Sequence, residues 1–597
     1  MKAVNPPSLK RRTSSLLRPK SMGHILEQTR ANTTVSSEII KRKPKNVLNV
    51  LFAAPLAWRD RSNRLHPLEV LDYGAERDAL SHVFREVQRD ISVIYDFATT
   101  DALRTALSFG CRALHFSGHG HESHLNFEDG RSGLQLVNVD TLRALLSAGG
   151  LRLDFVFVSA CHSKPTGQAF VDAGVKHVVC VKIEAMIQDS SAMAFTRAFY
   201  LALLSGQTVK HSFLIAKEAL KASPCIADSV LEGEKFVLLP ENEAHDVPIF
   251  VSCHVSEWVT PPNGNAHIPS PPPDFEGREV DMHRIISILL GRRLVSVVGA
   301  VGQGKSSLVA AVVTYINDRK TMFEDGIVYL KPHGNCKLVS HRTFLTALHA
   351  ALLSGPAPVA LRLQEQQKEN LENLSNGNGN ISAPRSLSAS DDLDTGADAD
   401  PVYLLEELIV SVLSPLRLLL VLDHIDGLLN NTVSDTATDL KFFLGRLFER
   451  CRHVKVLVVA GDPLGMRQVS GFGVVENTVS VGPLSLRSSL RLFARLAPAL
   501  TTSQRKASFV SALMPGKPDV TVHCRELTIC SAQLLSLFGN GHPSSIVKLA
   551  CESSLESVER LMAEGEEIIS THEGGNNDAG RRLAGTVSPV YALQPPT

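Results

Sequence analysis

The 597-residue sequence predicts an α/β fold with two successive sheet regions, the second of which ends in a helical segment. Three observations support this fold class. Short apolar runs alternate with amphipathic patterns from position 47 to about 240. A second alternation begins at Phe275, behind a Pro-rich stretch, and the pattern turns helical after Ser485. Such alternation is typical of parallel sheets covered by helices.

The individual elements follow from these patterns. Apolar runs of four to six residues are of the length expected for buried parallel strands, and Asp189, Ser190 and Ser191 form a helix start signal. In the first region we predict strands at 47–52, 91–95, 113–116, 153–158, 177–181 and 236–240, and helices near 69–88, 101–108, 140–146 and 189–204. In the second region we predict strands at 294–298, 327–330, 418–422 and 456–459.

Composition narrows the function classes. The chain is 44% apolar and 20% charged, as in ordinary globular proteins, and 61 basic residues balance 61 acidic ones. The zero net charge therefore gives no reason to expect a nucleic acid or membrane partner. Ten cysteines without a C-x-x-C pair fit neither a zinc ribbon nor a secreted disulfide framework. We expect a cytoplasmic protein without a signal peptide or a membrane-spanning segment.

Composition shifts along the chain divide it into segments. The first 45 residues are basic and rich in Ser and Thr, which predicts a disordered tail, with a nuclear or organellar address as the alternative. The predicted segments are this tail at 1–45, a first α/β domain at 46–245, a Pro-rich linker at 246–274, a second α/β domain at 275–480 with a disordered insertion at 364–400, a helical subdomain at 481–555, and a disordered tail at 556–597.

The second region holds a complete G-x-x-x-x-G-K-S phosphate loop directly after an apolar strand. Glycines let backbone N–H groups wrap phosphates, the lysine places a charge on the β and γ oxygens, and the serine hydroxyl ligates Mg²⁺. The sequence therefore predicts a nucleoside triphosphate site. The residues expected to bind the nucleotide here are Gly299, Gly302, Gly304, Lys305, Ser306 and Ser307.

A second apolar strand ends in a carboxylate, in the manner of a Walker B strand. Asp423 directly follows the strand at 418–422, and Asp426 lies three residues further on. A parallel strand beside the phosphate-loop strand would deliver Asp423 to the Mg²⁺ ion, which makes Ser306 and Asp423 the expected metal ligands. We expect Asp426 to orient or activate water.

The first region places a histidine and a cysteine beyond two of its strands. His119 follows the strand at 113–116, and Cys161 follows the strand at 153–158. A cysteine nucleophile needs a base to form the thiolate, and strand ends of a parallel sheet are where two such groups meet. This pattern predicts a cysteine nucleophile with a histidine base. The alternative is a packing cysteine and a histidine that only satisfies a local hydrogen bond.

A different chemistry is conceivable in the same segment. His119, His121 and His124 form an H-x-H-x-x-H pattern, which could begin a zinc hydrolase site. Ser123 stands where metallo-β-lactamase-like sequences have an aspartate, and no downstream Asp/His pair completes a second metal shell. We rank the metal hypothesis well below the cysteine hypothesis.

The second region resembles the STAND class of signal-transduction ATPases, which contains the NACHT and NB-ARC modules. Besides the phosphate loop, the resemblance rests on an F-x-G-R-E entry at 275–279, a "pLs…LF" stretch at 483–493 and a G-x-P element at 541–543. It implies an ATP/ADP-switched module with Mg²⁺, in which Pro543 lies near the adenine. It also implies nucleotide-dependent self-association.

Two features depart from that family's pattern. Ala460-Gly461-Asp462 stands where many members carry a sensor arginine, and neither a winged helix nor ligand-sensing repeats are recognisable after the G-x-P element. The sequence therefore supports nucleotide binding better than fast hydrolysis.

The first region resembles a CHAT domain, a caspase-like α/β/α sandwich related to separases. The stretches HFSGHG at 115–120 and VSACHS at 158–163 carry this resemblance, together with 173–200 and FVLLP at 236–240. It implies that His119 is the general base and Cys161 the nucleophile, with backbone N–H groups of Gly120 and Cys161 as oxyanion donors. Asp189 then occupies the position of a carboxylate that selects a basic P1 residue.

Together the two resemblances imply a nucleotide-regulated cysteine endopeptidase that acts on a peptide or protein substrate. The alternative is an ATP-binding signalling scaffold that uses the caspase fold for partner binding without cleavage. A plain metabolic ATPase ranks third, because the second region has no recognisable substrate-binding element.

Overall fold

The computed structural model describes residues 46–573, apart from 70, 149–152, 225, 227, 252–267, 320–321, 332–337, 376–399, 431–435, 467–473 and 515–523. The chain divides into two compact units. Their described parts are 46–53, 72–125 and 136–251 for the first unit, and 54–71, 126–135 and 268–573 for the second. The second unit thus includes two short segments from the N-terminal half of the sequence. The predicted tail at 1–45 lies outside the described residues.

All ten strands predicted from the sequence are present in the expected order, whereas the short strands at 57–59, 65–67, 120–121, 124–128, 134–138 and 476–480 were not predicted. The strands are β1 (Val47–Phe52), β2 (Ala57–Arg59), β3 (Leu65–Pro67), β4 (Ser92–Phe97), β5 (Ala113–Ser117), β6 (Gly120–His121), β7 (His124–Glu128), β8 (Leu134–Asn138), β9 (Phe155–Ser159), β10 (His177–Val181), β11 (Phe236–Leu239), β12 (Leu294–Val298), β13 (Ile327–Leu330), β14 (Leu419–Leu422), β15 (Lys455–Ala460) and β16 (Glu476–Ser480).

The helices are α1 (Tyr73–Val87), α2 (Thr100–Phe109), α3 (Val139–Ala148), α4 (Lys164–Asp172), α5 (Asp189–Leu204), α6 (Val209–Lys221), α7 (Ser229–Glu234), α8 (Glu279–Gly291), α9 (Lys305–Asp318), α10 (His341–Leu353), α11 (Ala357–Ser375), α12 (Pro401–Leu413), α13 (Asp426–Leu429), α14 (Thr436–Arg450), α15 (Leu486–Leu496), α16 (Ser503–Ala512), α17 (Cys524–Leu537), α18 (Pro543–Cys551) and α19 (Leu555–Glu573).

A six-stranded sheet forms the centre of the first unit, in the order β11-β10-β9-β5-β1-β4. All its pairs are parallel except β10 with β11. Apolar residues of β1, β9 and β10 pack with side chains of α1, α5 and α6 into one core, which includes Phe157, Phe195 and Phe199 at 0% exposure. Because β5 and β9 are neighbours, residues that follow these two strands lie at the same edge of the sheet.

The second unit has a five-stranded, all-parallel sheet in the order β13-β14-β15-β12-β16. The strands β12, β13, β14 and β15 are buried on both faces apart from Lys455, as expected for near-continuous Val and Leu runs, whereas the strand β16 is only partly buried. The helix α9 starts at Lys305, directly after β12 and the phosphate loop. The mixed α/β fold, with one largely parallel sheet and one wholly parallel sheet, confirms the fold class predicted from the sequence.

A helical subdomain follows β16 and extends further than the sequence analysis predicted. Leu490, Phe493, Leu534 and Phe538 form its core at 0% exposure. The predicted disordered tail at 556–597 is wrong for its first part, because α19 continues to residue 573. The apolar residues of α19 recur at helical spacing and pack against this core, although the segment is polar on average. These residues are Val558, Leu561, Met562, Ile568 and Ile569.

The predicted insertion at 364–400 also begins too early. The helix α11 continues to residue 375, and Val359 and Leu363 on this helix are fully buried in the core of the second unit. Gln, Glu and Lys are good helix formers, so a Gln-rich stretch can extend a helix whose first turns are anchored by apolar contacts. Residues 376–399 lie outside the described part of the chain.

A buried ion pair lies within the second unit, at the end of α9. Arg319 donates through Nε to Glu128 Oε2 at 2.8 Å and through Nη2 to Oε1 at 2.6 Å. The backbone N–H of Ala54 and the hydroxyl of Tyr315 also donate to this carboxylate. The two charged side chains are 4% and 1% exposed. The N-terminal segments 54–71 and 126–135 are thus tied to the helix that begins at the phosphate loop.

Among the described helices, none alone is both long and apolar enough to cross a membrane. One pair of consecutive stretches, 341–353 and 357–369, bent by 114°, meets the length and composition criteria jointly.

Candidate functional site

The strands β5 and β9 bring the candidate nucleophile and base to one edge of the first sheet. Ser117 pairs with Ser159, the last residues of these parallel strands. His119 and Cys161 therefore stand at equivalent positions, each two residues beyond the paired serines. The backbone N–H of Gly118 donates to Ser159 O at 3.1 Å, which keeps the two chains adjacent past the strand ends. Both side chains are partly exposed.

Gly120 packs directly against the cysteine segment. A Cβ atom at this position would lie 2.4 Å from Cys161 O and 2.9 Å from Ala160 Cβ, closer than real Cβ contacts. Glycine is therefore required here by the close approach of two backbones. This contact unites the histidine segment and the cysteine segment.

The sulfur of Cys161 faces backbone groups of the chain before α5. The N–H of Ile187 donates to Cys161 Sγ at 3.4 Å. The helix α4 begins three residues after Cys161, so that its N-terminal N–H groups present partial positive charge to this part of the chain. The Ile187 N–H and the helix N-terminus suit a sulfur atom that carries negative charge in a reaction, whereas the Ile187 carbonyl accepts a hydrogen bond from the neutral thiol at 3.9 Å.

Asp189 lies two residues beyond this contact, as the exposed first residue of α5. The sequence analysis placed a helix start at this residue, and the structure agrees. Ile187 contacts the sulfur of Cys161, and Asp189 lies two residues further along the same chain segment. An exposed carboxylate therefore follows the sulfur contact closely in the chain.

The other two histidines of the H-x-H-x-x-H pattern are joined by a serine. The Ser123 hydroxyl lies 3.0 Å from Nδ1 of both His121 and His124, whose rings stack at 4.8 Å. Burial lowers the pKa of His124 to about 4, and the neighbouring His121 makes a smaller contribution in the same direction. Among the described residues, no group of three or more His, Cys, Asp or Glu side chains is arranged to hold a metal ion.

The phosphate loop in the second unit has the backbone that its motif requires. Gly302 and Gly304 have φ of 84° and 80°, a region that favours glycine, and Gly304 precedes the first turn of α9. The Lys305 ammonium donates to Gly299 O at 2.7 Å and to Ala300 O at 3.1 Å, so it is held within the loop. Ser306 and Ser307 occupy the next positions of α9.

The G-x-P element lies on this loop. A Cβ on Gly302 would come within 2.6 Å of Ser544 Oγ and 2.8 Å of His542 Cε1, and the Cβ position of Gly304 is 3.9 Å from Pro543 Cγ. The helical subdomain thus contacts the segment that is expected to hold phosphates.

Arg278, from the F-x-G-R-E entry, also supports the loop. This buried guanidinium donates to Gln303 O at 3.2 Å and to Gly482 O at 2.8 Å, and it pairs with Asp281 at 3.0 Å. Removal of this side chain would leave a loop carbonyl without its donor.

Asp423 lies beside the phosphate loop, as the Walker B pattern predicts. Its Oδ1 accepts from the Ser306 hydroxyl at 3.0 Å and from the His424 N–H at 2.9 Å. Its Oδ2 accepts from the Tyr329 hydroxyl at 2.9 Å. Burial and, to a smaller extent, the Asp423 carboxylate raise the pKa of Tyr329. Its hydroxyl therefore keeps its proton and remains a hydrogen-bond donor.

Asp426 is engaged differently. Its Oδ1 accepts from the N–H of Gly461 at 2.6 Å, and the carbonyl of Gly461 accepts from the N–H of Gly299 at 3.3 Å. The carboxylate therefore supports the loop that follows β15 and, through it, the start of the phosphate loop. Its expected role in orienting water stays a prediction.

These residues fit a nucleotide with Mg²⁺. A glycine-lined turn at a helix N-terminus, an ammonium group, and a hydroxyl with a carboxylate within hydrogen-bond distance are the donor set that a Mg²⁺–polyphosphate requires. Ser306 and Asp423 would hold the ion, which neutralises charge on the phosphate oxygens when it is bound.

Comparisons with known protein families agree with this geometry. A model of the CHAT domain matches residues 11–246, and a model of Novel STAND NTPase 1 matches residues 271–468. The chain contains a CHAT domain and a STAND NTPase domain. Both resemblances identified from the sequence are thereby confirmed, and this pair of domains supports a nucleotide-regulated signalling or protease module. No match was found among curated proteins.

Three solved structures have partial likeness to this chain. The Walker-type ATPase PABY2304 of Pyrococcus abyssi has 14% identity and a TM-score of 0.28, over 51% of this chain and 77% of that one. The ORC2 protein of Aeropyrum pernix has 16% identity and a TM-score of 0.28, over 49% and 69%. The RgpB pro- and mature domains of Porphyromonas gingivalis have 14% identity and a TM-score of 0.22, over 34% and 46%.

Several residues around these sites were not singled out from the sequence. Tyr329 and the Gly461 backbone in the STAND domain, and the Ile187 N–H beside the CHAT cysteine, make contacts that depend on tertiary structure. Tyr329 carries one usable signal, because it lies near the end of a strand where ligand-binding groups of parallel sheets gather. A backbone N–H that contacts a sulfur leaves no signal in the sequence.

Proposed function

We propose that this chain is a nucleotide-regulated cysteine endopeptidase, in which the state of the STAND domain controls the CHAT domain. The observation that carries the proposal is the junction of β5 and β9, where Gly120 packs against the carbonyl of Cys161. That contact holds the histidine and cysteine segments together at one sheet edge. Packing alone would not require a partly exposed thiol there.

In the proposed reaction, His119 accepts the proton of the Cys161 thiol while the sulfur attacks the scissile carbonyl carbon. The C–S bond forms as the carbonyl π bond opens, and N–H groups of Gly120 and Cys161 receive the oxyanion. When the tetrahedral adduct collapses, the C–N bond breaks and His119 gives its proton to the leaving amine. Water then hydrolyses the thioester with His119 as base, and the free thiol is restored.

Nucleotide control is proposed to act through the G-x-P element. Because Ser544 and Pro543 contact the glycines of the phosphate loop, the position of the helical subdomain depends on what the loop holds. ADP and ATP need only differ in affinity for two arrangements of this contact to shift their populations. Slow hydrolysis suffices for such a switch, and we propose that the ATP state self-associates.

Labelling of Cys161 tests both parts of the proposal. We expect a peptide electrophile with a basic P1 residue to modify Cys161 faster in the presence of ATP and Mg²⁺, with the modified peptide located by mass spectrometry. Burial raises the pKa of the Cys180 thiol and raises the pKa of Cys451 to about 12, so these buried thiols should react slowly. Cys551 is exposed and serves as an internal reference.

The two parts fail separately. If Cys161 reacts no faster than Cys551 in any nucleotide state, the protease proposal is wrong and the scaffold alternative gains support. If Cys161 is labelled rapidly but Lys305→Ala leaves the rate and its ATP response unchanged, only the nucleotide control is wrong. Cys161→Ala should remove the label at this position and all cleavage, whereas a scaffold would keep its function.

Asp189 is proposed to favour substrates with Arg or Lys at P1. Its exposed carboxylate lies two residues from Ile187, whose N–H contacts Cys161 Sγ. Asp189→Ala should therefore reduce labelling by an Arg-P1 electrophile about two- to fivefold, since an exposed ion pair is worth up to about 1 kcal/mol. Labelling by a neutral-P1 reagent should change little.

The matched control is Asp101→Ala. Asp101 is also in the first turn of a helix of the first unit, and its side chain is 82% exposed. Equal labelling rates for Asp189→Ala and Asp101→Ala with the Arg-P1 reagent would reject the specificity proposal, without affecting the proposal for Cys161.

A further inference from the structure

The Walker B carboxylate of the second unit has a hydroxyl donor that the phosphate-loop motif does not predict. Tyr329 lies on β13, next to β14, and the backbone N–H of Asp423 donates to Leu330 O at 3.0 Å. The Tyr329 hydroxyl reaches Asp423 Oδ2 at 2.9 Å. Tyr329 is 8% exposed and Asp423 is 0% exposed. Bulk water therefore does not replace this donor easily.

The two carboxylate oxygens of Asp423 have different hydrogen-bond donors. Oδ1 faces the phosphate loop, where Ser306 donates to it, while the Tyr329 hydroxyl binds Oδ2 on the side of β13. A carboxylate held at one oxygen cannot rotate freely, so the direction of the other oxygen is fixed. Donors of this kind set the orientation of metal-binding carboxylates, and their loss typically lowers metal affinity about 10–100-fold.

We propose that Tyr329 is a positioning residue that holds Asp423 for the Mg²⁺ ion of a bound nucleotide. The proposal rests on the proposed nucleotide binding and assigns Tyr329 no contact with the nucleotide. It predicts that the hydroxyl matters for the use of Mg²⁺ and not for the affinity of the phosphate loop in the absence of metal. A role in packing alone would affect both alike.

The experiment uses the full chain and a fluorescent ADP analogue. Its affinity is measured in EDTA and across a Mg²⁺ titration, for wild type and Tyr329→Phe. We expect the affinity in EDTA to agree within about twofold, and the Mg²⁺ midpoint of Tyr329→Phe to rise about tenfold. A midpoint equal to that of wild type overturns the proposal, as does an equal loss of affinity with and without Mg²⁺.

Tyr315→Phe is the matched control. Tyr315 is also a buried tyrosine of the second unit whose hydroxyl reaches a carboxylate, that of Glu128 at 3.4 Å. Its Mg²⁺ midpoint should equal that of wild type. A shift as large as that of Tyr329→Phe would show a general effect of lost hydroxyls and overturn the proposal.

A second variant tests the route through Asp423. In an Asp423→Asn background, addition of Tyr329→Phe should cause no further rise in the Mg²⁺ midpoint, because the carboxylate that the hydroxyl orients is gone. An additional tenfold rise would overturn the proposed route. If wild type binds no nucleotide in any condition, nucleotide binding and this proposal fall together. Normal binding by wild type with an unshifted Tyr329→Phe removes only the role of Tyr329.

Discussion

Glu128→Ala is expected to lower the free energy of unfolding of the second unit by about 3–5 kcal/mol, since it leaves a buried charge without its partner. Arg319 directs two donors at this carboxylate, and its guanidinium also lies 3.3 Å from the centre of the Tyr315 ring. Without Glu128, the charge of Arg319 stays in a site that is nearly closed to water. The Ala54 N–H also loses its acceptor.

Denaturant unfolding followed by Trp58 fluorescence measures this effect. Trp58 lies in the 54–71 segment of the second unit, and Trp258 is the other tryptophan of the chain, so Trp258→Phe provides a background with one reporter. Glu324→Ala is the control, because Glu324 and Arg417 form a pair whose side chains are 67% and 58% exposed. Loss of such a pair should change stability by about 1 kcal/mol or less.

The double variant Glu128→Leu with Arg319→Leu distinguishes the effect of an unpaired buried charge from the effect of lost side-chain volume. Because replacing both partners leaves no unpaired buried charge, we expect it to be more stable than Glu128→Ala. If Glu128→Ala unfolds at the same denaturant concentration as Glu324→Ala, the ion pair contributes little and the assignment of the two N-terminal segments to this unit loses its main support.

Gly120→Ala is expected to slow labelling of Cys161 about a hundredfold, because misplacement of reacting groups by about 1 Å costs that much. The added Cβ would lie 2.4 Å from the Cys161 carbonyl oxygen. This atom belongs to the backbone, so relief of the overlap requires that the histidine and cysteine segments move apart. The change tests the contact on which the proposed protease function depends.

The labelling pattern shows at once whether the first unit remains folded. Cys111 and Cys180 are 3% and 0% exposed, so they should stay unlabelled in a folded Gly120→Ala protein. Gly74→Ala is the control in the same unit, since its Cβ would meet only Asp72 Oδ1, at an ordinary 3.4 Å. Wild-type labelling of Cys161 in Gly120→Ala would mean that the close contact has no part in reactivity.

The first sheet and four strands of the second could be predicted from the sequence because these strands are largely apolar runs separated by helical patterns. The candidate site positions came from the same pattern, since Asp423 directly follows such a run and His119 and Cys161 each lie three residues beyond one. Adjacency of β5 and β9 could not be derived, because strand order depends on how the whole unit packs. The contact of Tyr329 with Asp423 was inaccessible for the same reason.

Two predicted boundaries are wrong in segments where local composition and tertiary burial disagree. The residues 364–375 and 556–573 are polar on average, and composition alone predicts disorder there. A few apolar residues at helical spacing, such as Leu363 and Val558, are enough to anchor these helices to a core. Average polarity hides such spacing. The strand β16 is a further case, because Glu476–Ser480 is mostly polar and no strand was predicted there.

The segments 54–71 and 126–135 limit how the CHAT domain and the NTPase domain can be recombined with other domains during evolution. A gene fusion that joined another front domain at the Pro-rich linker would supply neither Glu128 for Arg319 nor Leu56, which is 1% exposed in the core of the second unit. Transfer of the NTPase module to a new partner would therefore require compensating changes at Arg319. We therefore expect the sequences of the two domains to evolve together, without exchange of either domain alone.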